Sequence, residues 1–219
     1  MTIDFARIRA ELYTAVLSDT LDALGYPDQA MRPFIRPLDE TAVLFGRART
    51  GLFMPTWHVP ENENVYALEI ALIDDLKDDE VAVIACGGPT ERIAPWGELL
   101  STAARYRGAV GCVTDGLVRD VRQIREMGFA VFHGGIGPLD SRGRGRMMAM
   151  DVPIECGGVK VEPGDYLFGD VDGVVVIPAT IATAAVAQAF AKVEGENATR
   201  DELAKGLKLA DVYAKYGVL

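Results

Sequence analysis

The chain has 219 residues, 49% of them hydrophobic and 8% aromatic, with a formal net charge of −10. That is enough apolar material for a sizeable core without disulfides or a structural metal. Carboxylates spread along the whole chain repel nucleic acid and anionic membranes, so any anionic ligand needs its own cluster of Arg or backbone N–H donors.

The opening MTIDFARIRAEL has no basic n-region and no apolar h-region, which predicts no secretory signal. No apolar stretch reaches the roughly 20 residues of a membrane span, and the expected location is cytoplasmic. Residues 4–24 predict one amphipathic helix. Phe5, Ile8, Leu12, Val16, Leu17, Leu21 and Leu24 recur at three- and four-residue spacing, and Gly25 and Pro27 stop it. A Pro- and Arg-rich extended segment leads to strands at 42–45 and around 50–54, then to a helix over about 65–75. Glu80–Cys86 reads as a buried strand, followed by the loop Gly87–Ala94 and a helix from Pro95 to about Arg107. Ala109–Thr114 is a strand, Val118–Met127 a helix closed by Gly128, and Ala130–His133 another strand. Such alternation predicts α/β units with parallel pairing.

Past Gly134 the pattern becomes short strands at 152–154, 159–161, 166–168 and 173–177, separated by Gly-Gly and Pro-Gly turns. This predicts an antiparallel region. The Ala-rich tail from Thr180 is helical to about Tyr216, with a break near Gly206. Residues 1–219 therefore read as a single domain whose residues 179–219 form a C-terminal helical arm. Cys86, Cys112 and Cys156 include no CxxC pair, so buried free thiols are expected rather than a disulfide framework or a thiolate zinc site.

Glu98 falls in the first turn of the helix that begins at Pro95, where a carboxylate is favoured and free N–H groups form an anion site. Asp115 is expected to end the next strand, and the turn Asp115–Val118 then brings Arg119 and Asp120 to the start of the following helix. Strand C-terminal ends and helix N-termini open on one edge of an α/β layer, so Glu98 and Arg119-Asp120 should face one crevice. Glu98 and Asp120 offer oxygen ligands for a hard cation such as Mg²⁺. Arg119 can donate in a planar fork to a carboxylate or a developing enolate. The same spacing also suits a helix cap with a surface ion pair.

The stretch Trp96-Gly97-Glu98-Leu99-Leu100 through Gly111–Asp120 resembles the 4-hydroxy-4-methyl-2-oxoglutarate aldolase family. That family includes 4-carboxy-4-hydroxy-2-oxoadipate aldolases and the regulator of ribonuclease E activity (RraA-like proteins). Its signature is an acidic residue, twenty arbitrary residues, then Arg-Asp, and Glu98 is followed by the twenty residues Leu99–Val118 and then Arg119-Asp120. Leu17–Gly25, Gly46–Thr50, Pro163–Asp165 and Gly169–Pro178 extend the likeness to roughly residues 15–205.

The resemblance implies a swivelling β/β/α domain of the α/β class, with an N-terminal helix and a C-terminal helical arm, assembled as a homotrimer or a hexamer built from two trimers. It implies that Asp120 binds a divalent metal, Mg²⁺ or Mn²⁺, directly and that Glu98 helps through water. Arg119 would contact the carbonyl and enolate oxygen, and the backbone N–H groups of Gly97, Glu98, Leu99 and Leu100 would cradle a pyruvyl carboxylate. A neighbouring subunit would lend a carboxylate from its arm, with Glu196 the best match and Glu194 second. The implied activity is a pyruvate-releasing lyase acting on a 4-hydroxy-2-oxo acid, with oxaloacetate decarboxylation from the same enolate chemistry. The alternatives are a non-catalytic binding protein like the ribonuclease regulator, and a related metal-assisted hydrolysis or dehydration of an oxo acid.

Pro55–Asn64 and Gly87–Ala94, with Thr90, Glu91 and Arg92, match no member of known specificity, which leaves the distal half of the substrate open. His58 and His133 are too far apart for a spaced metal motif. Arg142, Arg144 and Arg146 read as an interface or a solvated strand, with attraction of a dianionic substrate the other reading. Asp170–Gly173 reads as a hairpin turn rather than a calcium loop, lacking the later ligands. The Gly pairs at 87–88 and 134–137 match neither a dinucleotide fingerprint nor a P-loop. Asp115 is the further carboxylate expected at the edge of the site.

Overall fold

In the computed structural model, which describes residues 3–217, the first amphipathic stretch divides into two helices rather than one. Helix α1 (Phe5–Glu11) starts at Asp4, whose carboxylate accepts from the Arg7 N–H at 3.0 Å, and stops where Leu12 turns extended at ψ 164°. Helix α2 (Thr14–Ala23) has no cap from its own N-cap side chain. Its Thr14 N–H donates instead to the Asp170 carboxylate, 156 residues away, at 2.8 Å. Both helices keep their apolar positions in phase, so periodicity could not register a break made by a remote carboxylate.

After the short β1 (Arg36–Pro37) comes β2 (Leu44–Pro55), a single 12-residue strand where two were expected. It pairs along its length with three different partners, which occupies both its edges, and only Arg47, Met54 and Pro55 of its side chains are exposed. The α/β section follows as α3 (Ala67–Asp74), β3 (Glu80–Ala85), α4 (Glu98–Tyr106), β4 (Gly111–Val118), α5 (Val121–Met127) and β5 (Ala130–Ile136). Then come β6 (Gly145–Met150), β7 (Ile154–Cys156), β8 (Val159–Val161), β9 (Tyr166–Asp170) and β10 (Gly173–Ile177), and the arm of α6 (Ala182–Ala204) and α7 (Leu209–Tyr216).

The main sheet runs β1-β5-β4-β3-β2-β9-β10, parallel from β5 to β2 and antiparallel elsewhere, with β6 added antiparallel along the far end of β2. Its ends nearly meet. Arg36 of β1 donates to the Asp172 carbonyl at 2.8 Å, and the Met31 N–H to the Val174 carbonyl at 2.8 Å. The nearly closed barrel holds Val83, Val113, Phe132, Leu167 and Val176, and the β7–β8 hairpin adds Ile154, Cys156 and Val161 to that core. Outside, α3, α4 and α5 pack Leu72, Ala104 and Ile124 against Ile84, with Trp96 and Phe129 stacked at 6.3 Å. A third core joins α1, α2 and α6 to Phe45, Phe168 and Val175. Each fully buried Leu or Phe contributes on the order of 2 kcal/mol. This is the expected mixed α/β, swivelling β/β/α architecture, with N-terminal helices and a C-terminal helical arm.

Two further expectations change. Asp115–Val118 is not a turn, because β4 continues through it with a register irregularity between Thr114 and Leu117. Strand β6 (Gly145–Met150) was not among the expected strands; it takes in Arg146, consistent with the solvated-strand reading of the basic run, whereas Arg142 and Arg144 precede it. The three cysteines are buried and free, and Asp170 pairs with Gly173 across a tight hairpin, both as expected. No helix among the described residues is long and apolar enough to cross a membrane.

Candidate functional site

The first turn of α3, the end of the loop after β3, the first turn of α4, the residues just after β4 and the loop after β5 meet around one small cavity of about 160 Å³. Asp120 follows β4 at φ 58°, ψ 35°, a left-handed conformation that Asp tolerates better than most side chains. It makes no side-chain cap bond to α5. Its carboxylate turns across to α4, where the Glu98 N–H donates to Oδ2 at 3.2 Å. The approach requires glycine at 97. A Cβ there would stand 2.7 Å from Asp120 Oδ2 and 3.1 Å from Arg119 Cγ.

Arg119 is fixed at its backbone, donating N–H to the Trp96 carbonyl at 3.1 Å. Its guanidinium is held loosely. Nε is 3.7 Å from Asp120 Oδ2, and Nη1 is 3.6 Å from Asp140 Oδ1, beyond hydrogen-bond reach in both directions. The side chain is 37% exposed, so its donors remain free for a ligand. Asp140 is set by the Tyr66 hydroxyl, which donates to Oδ2 at 2.7 Å. Burial pushes the Asp140 carboxyl up, but that hydrogen bond, the Arg142 and Ser141 N–H groups and the Arg119 charge outweigh it and hold it below the usual carboxylate range. Burial and the same bond to Asp140 push the Tyr66 hydroxyl up.

The expected residues divide. Gly97, Leu99, Leu100, Arg119 and Asp120 line the cavity together. The Glu98 carboxylate does not. It accepts from the Thr102 hydroxyl at 2.7 Å, one turn along its own helix. Of the four expected cradle amides, that of Glu98 is already given to Asp120. Glu196 lies elsewhere, on α6, accepting from the Tyr13 hydroxyl within its own chain and 3.8 Å from Arg200. Glu194 lines a separate groove between α1 and α6.

Asp115 is a correction. It is buried at 1% exposure, and its carboxylate accepts from the Cys86 N–H at 2.5 Å and the Gly88 N–H at 2.8 Å. Burial raises its pKa against those bonds. Its oxygens anchor the loop after β3 instead of facing a ligand. His133 is buried in β5 opposite Arg36, its pKa lowered by burial, and His58 is exposed on the loop after β2.

The two flanking loops are tied together. The Arg92 guanidinium stacks 3.4 Å over the Trp57 ring and donates to the Thr56 and Gly143 carbonyls. Arg144 donates to the Asp140 carbonyl at 3.1 Å, and Arg146 pairs with Glu63 at 2.9 Å.

Three polar residues at the cavity, Tyr66, Glu69 and Asp140, were missed by sequence reasoning, and Glu69 is the one that left a signal. Glu69 of α3 lines the wall at 6% exposure, and burial above all, with Asp140 adding and Arg119 opposing, pushes its carboxyl up to about 7. Its signal was available: Glu69, Leu72, Ile73 and Leu76 share the i, i+3, i+4, i+7 face that should be apolar throughout. A larger cavity of about 410 Å³ opens at the opposite ends of the parallel strands, near Leu38 and Phe129. Its Arg105 and Arg125 are committed to the Met127 and Leu38 carbonyls, and none of the expected site residues reaches it.

Comparison with known proteins bears on this geometry. The family model described as RraA-like (Aldolase/RraA) matches residues 14–176. A protein of Halalkalibacterium halodurans named "Putative 4-hydroxy-4-methyl-2-oxoglutarate aldolase" is 34% identical over 176 residues, 80% of this chain and 77% of that one. Among solved structures, an uncharacterized protein from Pseudomonas syringae pv. tomato superposes with a TM-score of 0.80 at 26% identity, covering 97% of this chain and 99% of the other. Streptomyces coelicolor RraAS2, described as an unusual member of the RNase ES inhibitor RraA family, gives 0.77 at 27% identity, covering 91% and 98%.

Proposed function

Since this chain belongs to the RraA-like (Aldolase/RraA) family, we propose that it is a divalent-metal-dependent lyase that cleaves a 4-hydroxy-2-oxo acid to pyruvate and a second carbonyl compound. The observation that carries the reading is the meeting of Arg119, Asp120 and the first turn of α4 at one small cavity.

The donor set fits a hard cation. Asp120 Oδ2 takes the Glu98 N–H, the side chain is 42% exposed, and no hydrogen bond engages Oδ1. Among the described residues no group of three or more His, Cys, Asp or Glu could cage a metal. A Mg²⁺ or Mn²⁺ ion can be held by few carboxylates while retaining several waters. Asp120 would hold the ion directly, with Glu98 reaching it only through water, and a carboxylate such as Glu196 of a neighbouring copy would complete the set. When bound, such an ion polarises the 2-oxo group and stabilises the enolate.

The chain's own groups do the rest. The free first-turn N–H groups at Leu99 and Leu100 bind and orient the substrate carboxylate at the positive end of α4. Arg119 donates to the oxygen on which negative charge develops, and its fixed charge requires no proton transfer. Trp96, Pro95 and Ala94 keep water from one wall. Oxaloacetate would lose CO₂ through the same enolate.

A second reading, a non-catalytic binding protein, is favoured by the likeness to RraAS2 of the RNase ES inhibitor RraA family. Incubation with oxaloacetate and with 4-hydroxy-2-oxo acids separates the two. Pyruvate release with Mg²⁺ and its loss with EDTA are expected. Asp120→Asn, which keeps the left-handed conformation accessible, should remove turnover by about 10³-fold or more while leaving thermal unfolding nearly unchanged. A full set of substrates with no metal-dependent pyruvate would leave the binding-protein reading standing.

A further inference from the structure

We propose that Glu69 is the proton-transfer residue of this site, taking the 4-hydroxyl proton as the C3–C4 bond breaks and returning it to C3 of the enolate. This inference rests on the aldolase reading above.

The carboxyls around the cavity differ in what already holds them. Asp140 accepts from the Tyr66 hydroxyl and lies 3.6 Å from Arg119, so it is a poor base. Asp120 takes the Glu98 amide, and Glu98 itself takes the Thr102 hydroxyl and points along its helix. Asp115 is consumed by the Cys86 and Gly88 amides. Glu69 differs from all of them. It lines the cavity from α3, is 6% exposed, and no hydrogen bond is among the influences on its carboxyl. An unpaired carboxylate on a buried helix face is costly, and a purely structural role would be met better by Leu or Met.

The groups facing it set its protonation. Asp140, from the loop after β5, disfavours its charge and Arg119, after β4, favours it. The Tyr66 hydroxyl at the start of α3 and the buried Cys86 thiol at the end of β3 also feel it. Burial dominates, placing the carboxyl at about 7, where both protonation states are available near neutral pH. The cycle balances. The Glu69 carboxylate accepts the hydroxyl proton, the oxygen's electron pair forms the new carbonyl, and the C3–C4 pair passes into the enolate. The neutral Glu69 carboxyl then protonates C3, giving pyruvate and restoring the carboxylate.

Glu69→Gln, nearly isosteric, tests this against oxaloacetate decarboxylation, which forms the enolate by losing CO₂, requires no hydroxyl deprotonation, and leaves an enolate that water can protonate at C3 once it is released. Pyruvate release from a 4-hydroxy-2-oxo acid should fall by about 10²-fold or more, decarboxylation by less than about tenfold. Exchange of pyruvate methyl protons with D₂O should disappear, and Glu69→Asp should recover part of both losses. The wild-type aldol-cleavage rate should fall as pH drops below about 7, and the Gln variant should lack that limb. Aldol cleavage within threefold of wild type in the Gln variant, or an equal loss of both reactions with the pH profile unchanged, overturns the role of Glu69. Wild-type protein that releases no pyruvate from either substrate overturns the aldolase reading, and this assignment with it.

Discussion

Position 69 shows how a single side chain can oppose its own helix. The spacing to Leu72 and Ile73 turns Glu69 inward, and burial raises its carboxyl from the ordinary 4.5 to about 7. Between those two values the folded chain holds a proton that the unfolded chain has lost, so stability falls as pH rises through that window. The loss is on the order of 3 kcal/mol once pH exceeds 7, and Glu69→Gln should not suffer it. Denaturant unfolding of both proteins at pH 5 and pH 8 reads the difference directly. Equal stability changes in the two would mean that Glu69 is not raised. At this scale Arg119 and Asp120 were legible because their adjacency and their distance from Glu98 survive in one dimension. The rotation of Glu98 onto Thr102 was not, since a rotamer is chosen by whichever neighbour the fold supplies.

Among elements, α4 and β4 determine how the site is assembled. The Asp120 carboxylate crosses to the first turn of α4 only because residue 97 has no side chain. Gly97→Ala should push that carboxylate aside, costing about 1 kcal/mol or less because the obstructing oxygen can swing away, yet lowering kcat/KM by about 10²-fold. Thermal unfolding and steady-state rates together check this, and unaltered rates would show that the contact does not position Asp120. The elements themselves were readable where periodicity or alternation was strong, as in β3, α5 and the β9–β10 hairpin. They were misread where a remote group intervened. Asp170 divides α1 from α2, and the Cys86 and Gly88 amides absorb Asp115, so that Asp115-Gly116 becomes a bulged strand instead of a turn.

Across the whole molecule, large apolar side chains surround the cavity without covering it. Leu99 is 75% exposed and Ile70 45%, both on its rim, and Trp57 is 79% exposed beside the flanking Arg92. Exposed apolar rims of this kind mark surfaces that associate. Light scattering should give a mass of three or six chains of 23.6 kDa each. Glu196→Gln should then lower turnover about tenfold or more without changing that mass. A monomer with full activity would show that no neighbour contributes a carboxylate.

The linear chain alone carried the α/β class, the C-terminal arm, the buried thiols and the Arg119-Asp120 pair, because patterning and adjacency are local properties. Tertiary structure alone decided that the sheet nearly closes and that Asp115 serves the loop after β3, while Glu98 turns its carboxylate to Thr102. It also decided that a lone carboxyl from α3 completes the cavity wall beside Arg119. The placing of Asp115 depends on which distant amides arrive to satisfy it, and the approach of α3 to Arg119 on packing between elements far apart in sequence, so neither exists until the chain has folded.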